Sequence, residues 1–208
     1  MHAMVEYLCT RLENKDKLPS FRAGTRETTT ALQSLTKYST FPPGDAATTV
    51  LAVFALSNDS NNLFKDLTHN TRLELYMLID ILIKKYEKAT RRDVKNQDLV
   101  EGIVSMGLAE KNPSCLSVLF PLYAYISRHW TLESAELDRI WESYIRYFPI
   151  TVGGAVGDPS APTKEKMRDL LLDCIVSNDH YGAKAFERLI EMLDTESDLS
   201  ATTKVVFL

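Results

Sequence analysis

Apolar residues recur at three- and four-residue spacing along almost the whole chain, and this limits the fold more than any other feature. Leu75, Leu78, Ile79, Leu82 and Tyr86 are the clearest example, a stripe that one buried helical face produces. Val5, Leu8 and Leu12 mark a short helix before it, and Ala31, Leu32 and Leu35 mark another over 21–38. Val50, Leu51 and Phe54 predict a third, ending near Ser57. Beyond the main stripe, further helices hold Leu99, Val100, Ile103 and Val104; Leu116, Leu119, Phe120 and Tyr123; and Leu137, Ile140, Trp141, Tyr144 and Ile145. Two more carry Met167, Leu170, Leu171, Cys174 and Ile175, then Phe186, Leu189, Ile190 and Leu193, and a last helix begins near Ser197.

The breaks between these stripes fit helix ends. Pro42-Pro43 and Asn112-Pro113 suit a first helical turn, where a missing N–H costs nothing. Asn58 to Asn62 reads as a loop, and Thr71 with Glu74 has capping-box spacing. Gly102 and Gly107 weaken their helix by about 1 kcal/mol each relative to alanine, and Pro121 is expected to remove a hydrogen bond and kink its helix. The eight glycines and eight prolines cluster between apolar stretches, whereas a β-sandwich needs turn residues every few positions.

Taken as two-helix units, the first helices start near Thr71, Pro113 and Thr163, which are 42 and 50 residues apart. With a long Gly/Pro-rich loop at 149–162 allowed for, that brackets the ~40–47-residue period of HEAT and armadillo repeats. The expected fold is all-α, a HEAT/armadillo-like solenoid; an irregular helical bundle is the alternative. Met1-His2-Ala3 reads as a cloning remnant before a natural-looking start at Met4, leaving 4–208 as one N-terminal repeat domain. Val205-Val206-Phe207-Leu208 stops on apolar residues, as a solenoid cut from a longer protein would.

With 45% hydrophobic and 25% charged residues the chain has enough apolar material for an extended core. A formal net charge of −4 gives no global attraction to phosphate backbones or anionic membranes. The longest apolar runs fall far short of the ~20 residues a bilayer span requires, and no signal peptide is apparent. Neither export nor membrane insertion is indicated. Cys9, Cys115 and Cys174 are odd in number and far apart, the pattern of buried thiols rather than of a disulfide framework. Asn58-Asp59-Ser60 matters only in a secreted protein and is read as a chance match.

No motif supplies a catalytic centre. His-Glu-x-x-His and the Gly-Lys-Ser/Thr phosphate loop are missing, and Ser105 lacks the glycine that a nucleophile elbow needs two residues before it. Gly153-Gly154-Ala155-Val156-Gly157 superficially resembles a phosphate cradle but has no lysine after its last glycine and no strand before it. His69, His129 and His180 each fall near a predicted helix end, where imidazole can cap or meet the dipole. The chain is therefore expected to be no enzyme and to hold no cofactor or metal.

Two features remain as candidate contact surfaces. Lys84, Lys85, Lys88, Arg91, Arg92 and Lys95 run off the end of the strongest helix, where cations complement the C-terminal dipole and can also dock an acidic partner or a nucleic-acid strand. The other is the 149–162 loop, with Val152, Gly153, Gly154, Gly157 and Asp158 as its exposed candidates.

Tyr147-Phe148-Pro149-Ile150, then Asp158-Pro159, then an apolar helix from Thr163, resembles the N-terminal domain of one family. It is the large HEAT-repeat adaptor of the cytosolic iron-sulfur assembly targeting complex, named in yeast for methyl methanesulfonate sensitivity and methionine auxotrophy. Glu110-Lys111-Asn112-Pro113 is similar to the family's acidic-Lys-Asp-Pro step, with Asn112 departing. Leu189-Ile190-Glu191-Met192-Leu193-Asp194-Thr195 resembles its Leu-Ile-Glu-Lys-Leu-Asp-Ser turn, with Met192 and Thr195 departing. Tyr7-Leu8-Cys9-Thr10-Arg11-Leu12 resembles its aromatic-Leu-Cys-x-Arg-Leu opening. These motifs are packing and turn residues, so their shared order is the specific part.

The resemblance implies a non-catalytic scaffold that presents apo-proteins to the other targeting subunits, with DNA helicases, polymerases, primases and nucleases as clients. It implies links to DNA repair, transcription and chromosome maintenance, contacts to the other subunits mainly through missing C-terminal repeats, and no cluster ligands here. The three scattered cysteines fit, since a [4Fe-4S] site normally needs four thiolates brought together. The rival readings are a HEAT-like transport or trafficking receptor and a nucleic-acid-binding helical repeat using Lys84 to Lys95; direct nucleic-acid binding and membrane contact are not expected.

Overall fold

The structure, a computed structural model, describes residues 1–13, 18–57, 63–150 and 161–191, and side chains from Arg22 onward in the second helix. In chain order the elements are α1 (His2–Glu13), α2 (Leu18–Thr36), α3 (Pro43–Phe54), a 3-10 turn (Leu63–Asp66), α4 (His69–Lys85) and α5 (Glu87–Asp93). There follow α6 (Asn96–Gly107), α7 (Pro113–His129), α8 (Ser134–Ile145), α9 (Lys164–Ile175) and a helix over 180–191, here α10. No strand occurs among the described residues.

The helices stack in two layers. In one, α2, α4, α7 and α9 pack side by side in chain order; in the other, α1 packs on α3, α3 on α6 and α6 on α8. The short α5 wedges against α3 and α4, and α10 meets α8 through Tyr181 on Trp141 and His180 on Asp138. Each helix thus contacts its neighbours in the stack, the arrangement of an α-α solenoid. The stripe residues do the burying: Leu75, Leu78, Ile79 and Leu82 are sealed in α4, Leu99, Val100 and Ile103 in α6, and Leu116, Leu119 and Phe120 in α7.

Local chemistry sets the starts of α3, α7 and α9 where the sequence places them. Asn112 caps α7, its Oδ1 accepting from the N–H groups of Ser114 and Cys115, with Pro113 in the first turn. Pro121 lies inside α7, which continues to His129. The start of α4 is a correction. Thr68, not Thr71, is the N-cap, because the chain arrives extended from the 3-10 turn and places the Thr68 hydroxyl to accept from Thr71 N–H at 3.3 Å. Glu74 instead turns toward α2, where its carbonyl accepts from Gln33 Nε2 at 2.6 Å. Thr68→Ala should cost about 1 kcal/mol, read as a lower urea midpoint with unchanged slope; an unchanged midpoint would return the capping role to Thr71.

Gly102 and Gly107 have a second role besides lowering helix propensity. A Cβ on Gly102 would stand 2.2 Å from the Phe54 ring, and one on Gly107 would stand 2.2 Å from the Tyr123 hydroxyl. At these points rings from α3 and α7 fill the space that a side chain on α6 would need. The last stripe does form a helix, but Phe186 is 71% exposed, and Leu189 and Ile190 are also exposed, as are Leu172 of α9 and Val176 just after it. They form an outer face among the described residues, because α10 turns Tyr181, with the partly buried Ala185, toward the core. Leu193 and the helix expected near Ser197 lie outside the described residues.

Candidate functional site

The basic stretch spans a helix break. At Tyr86 the backbone leaves helical geometry, and the ring packs on Phe41 with centroids 5.1 Å apart. The break turns α5 away from the α4 axis, and the six cations separate into two groups.

The inner group is already occupied. Lys84 pairs with Asp80 at 2.5 Å and lies over the Tyr125 ring, 5.4 Å from its centroid. Arg91 pairs with Glu87 at 2.8 Å and covers Trp130 at 4.8 Å. Cation–ring contacts of this kind contribute about 0.5–1 kcal/mol at exposed positions. The Tyr125 hydroxyl donates to Glu87 at 2.7 Å, which, with the neighbouring Arg91, holds the Glu87 carboxyl below the usual carboxylate range. Burial first, then Glu87, push Tyr125 up to about 12. His129 stacks on the same ring at 4.2 Å, which places it at a helix end as expected.

Lys85 shows why the last turn of α4 is basic. Its Nζ donates to the Thr36 carbonyl at the end of α2 at 2.5 Å. At the end of α7, Arg128 similarly donates to the Asp173 carbonyl near the end of α9 at 3.1 Å and forks onto the Asp173 carboxylate. The final carbonyls of a helix carry partial negative charge and lack helical partners, so each of these cations satisfies the end of a neighbouring helix.

The outer group is Lys88, Arg92 and Lys95, all exposed. Arg92 bonds Asp93, the residue beside it, at 2.7 and 2.8 Å. An exposed pair of this kind adds little to stability. Lys88 and Lys95 make no ion pair or hydrogen bond from their side chains among the described residues. Of the other candidates, Val152, Gly153, Gly154, Gly157 and Asp158 lie outside the described residues; at the edges of that segment Ile150 is buried and Thr163 caps α9 through Lys166 N–H.

The most concentrated buried polar site was not singled out by motif spacing. The Glu110 side chain, 1% exposed, receives Arg72 Nε at 2.8 Å and Nη2 at 3.0 Å, with the amide N–H groups of Lys111 and Asn112 at 3.0 Å each. The Tyr76 hydroxyl donates to the Met106 carbonyl at 2.7 Å and lies 3.4 Å from the same carboxylate. Tyr147 from beyond α8 donates to the Glu110 carbonyl at 2.7 Å. Ala109 just before it takes a left-handed φ of 63°, which turns the chain so that Glu110 points inward. The site joins α4, the α6–α7 connection and the segment after α8. It is a structural junction, since every group around the carboxylate is a donor already satisfied.

The cysteines are buried and apart. Cys9 Sγ lies 3.6 Å from Thr49 Oγ1, Cys115 faces the His69 carbonyl and Cys174 the Phe120 carbonyl. Burial pushes all three thiols up, Cys115 to about 12. Among the described residues no group of three His, Cys, Asp or Glu side chains is placed to hold a metal ion, and no helix is long and apolar enough to cross a membrane. His180 opens α10, and its Nε2 lies 2.6 Å from Asp138, which also pairs with Lys184 at 2.9 Å. His2 extends α1 and bonds the buried Asp45 at 2.7 Å.

The two-layer stack and the motif order along it agree with a match to known proteins. Residues 1–205 match the family described as Dos2-interacting transcription regulator of RNA-Pol-II. The chain belongs to this family. A family relative, the MMS19 nucleotide excision repair protein of Drosophila melanogaster, is 25% identical over 130 residues, which are 62% of this chain and 13% of that protein. The chain therefore matches a small part of the relative's length. No solved structure matches. The family match confirms the resemblance to the methyl methanesulfonate sensitivity family's N-terminal domain read from the Tyr147–Thr163 and Glu110–Pro113 motifs.

Proposed function

We propose that this chain is the N-terminal part, residues 4–208, of a non-catalytic adaptor that recognises apo-proteins of DNA repair, replication and transcription for iron-sulfur cluster insertion. The single observation that carries this reading is the family match over residues 1–205. The description of that family as a transcription regulator and the name of the Drosophila relative as a repair protein support a role in transcription and repair. Helicases and polymerases with clusters connect those processes, and the cluster is cargo in this reading, with no ligand supplied by Cys9, Cys115 or Cys174.

The architecture suits recognition. A stack of paired helices presents a long continuous surface, so several partners can be held at once. The other targeting subunits would bind mainly through later repeats of the longer protein, and the work would take place in cytosol and nucleus. The test is cluster content in client helicases isolated from cells that carry either the intact adaptor or a version lacking 4–208. The expected outcome is loss of iron from a subset of clients with normal client protein levels. Full iron content in every client overturns client recognition by this domain.

A further inference from the structure

Of the outer cations, Lys88 and Lys95 make no side-chain bond among the described residues, and Arg92, in the last turn of α5, pairs only with the adjacent Asp93. Lys88 occupies the first turn of α5, beside the partially positive end of the helix, where an anion is favoured and a cation is not. Four residues on, Arg92 lies on the same face, so the two repel. Lys95 is the N-cap of α6 and makes no side-chain capping bond, although Ser, Thr, Asp or Asn is preferred at that position. Nearby carboxylates do not relieve this: Glu87 is engaged by Arg91 and Tyr125, and Asp93 by Arg92.

The contrast with the inner group is informative. Lys84, Lys85 and Arg91 each have a carboxylate, a carbonyl or a ring as partner, so helix-end chemistry accounts for them. It does not account for Lys88, which stands in the first turn of α5, and leaves Lys95 as the uncapped start of α6; both lack side-chain partners among the described residues.

We infer that Lys88, Arg92 and Lys95 form a docking surface for an acidic protein segment, whose carboxylates supply the counter-charge the fold omits. The inference deepens the adaptor reading and rests on it for the occupant being a protein. Charge geometry favours the same choice. The stripe is short: Lys88 and Arg92 are about one turn of α5 apart, about 6 Å of rise, Lys95 follows two residues after that helix ends, and duplex DNA carries a charge every ~1.7 Å of its axis. A chain of net charge −4 with so small a basic stripe matches a few side-chain carboxylates better than a phosphate run.

The test is fluorescence anisotropy of a short helical peptide with glutamates on one face, titrated with the 208-residue chain and with its Lys88→Glu/Arg92→Glu/Lys95→Glu variant. A single-stranded oligothymidylate of equal net charge is run in parallel. The expected result is salt-sensitive peptide binding that weakens about tenfold or more in the variant, and weaker oligothymidylate binding throughout. Lys88→Glu alone should leave the thermal midpoint unchanged or raise it, because it places an anion in the first turn. Equal peptide binding by both chains overturns the inference, as does tighter oligothymidylate binding lost in the variant. A Lys88→Glu midpoint that falls assigns the lysine a structural role and also overturns it. None of these outcomes alters client cluster content, on which the adaptor reading is tested separately.

Discussion

Glu110→Ala should destabilise the chain by about 3 kcal/mol, the low end for breaking a buried pair, because the Arg72 side chain is 18% exposed and keeps its bond to the Leu67 carbonyl. Arg72 loses both of its carboxylate contacts, the amides of Lys111 and Asn112 lose their acceptor, and Tyr76 loses a neighbour. In a chain of this size the loss corresponds to a fall of roughly 10 °C in Tm. Arg72→Met/Glu110→Leu should recover much of it, because an apolar replacement of both partners leaves no charge behind. Thermal unfolding of the two variants measures this; equal Tm values for the native chain and Glu110→Ala would remove the junction from the account.

The same site predicts a pH dependence of defined sign. Burial would raise the Glu110 carboxyl, but Arg72 and the amides of Asn112 and Lys111 more than reverse it, so it is held below its ordinary value of 4.5. A carboxylate with a depressed folded value stabilises fully above the unfolded value and loses that contribution as pH falls through the folded one. The stability difference between the native chain and Glu110→Gln should be constant at neutral pH and shrink below 4.5.

Gly102→Ala is expected to have the next largest effect. In an open helix the change would stabilise, because alanine has the better propensity by about 1 kcal/mol. Here the added Cβ meets Phe54 at 2.2 Å, with two further ring carbons within 2.6 Å, and Phe54 is itself buried at the junction of α3 and α6. Overpacking of this kind costs about 1–3 kcal/mol. The sign of the measured change decides between helix propensity and interhelical contact. In the background of Phe54→Ala, which opens a cavity, Gly102→Ala should turn neutral or stabilising, and a double-mutant cycle would show the coupling.

What the sequence made legible was local. The α4 stripe declares itself because a 3.6-residue period needs only neighbours along the chain, and Asn112-Pro113 marks the start of α7 because capping groups lie within three residues of their targets. Thr68 and Thr71 have similar credentials as caps, and the conformation of the incoming chain decided between them. Tyr86 was read as the last member of a stripe, and its role as a helix break, which divides the basic stretch into two groups, depends on Phe41 and Thr36 far away in sequence.

Partnerships over long separations were hidden altogether. Nothing near Glu110 signals Arg72, which lies 38 residues away, and nothing near Lys85 signals the Thr36 carbonyl. The glycines of α6 looked like weaknesses until the Phe54 and Tyr123 rings were seen against them. Phe186, Leu189 and Ile190 have core spacing and yet form an outer face, because periodicity shows that a face is apolar and cannot show what covers it.

Client recognition is tested most directly by a pull-down from native extract, using the intact adaptor beside a version lacking residues 4–208, with mass spectrometry of the bound proteins. The account predicts loss of iron-sulfur helicases and polymerases with retention of the other targeting subunits; unchanged binding of both groups would contradict it.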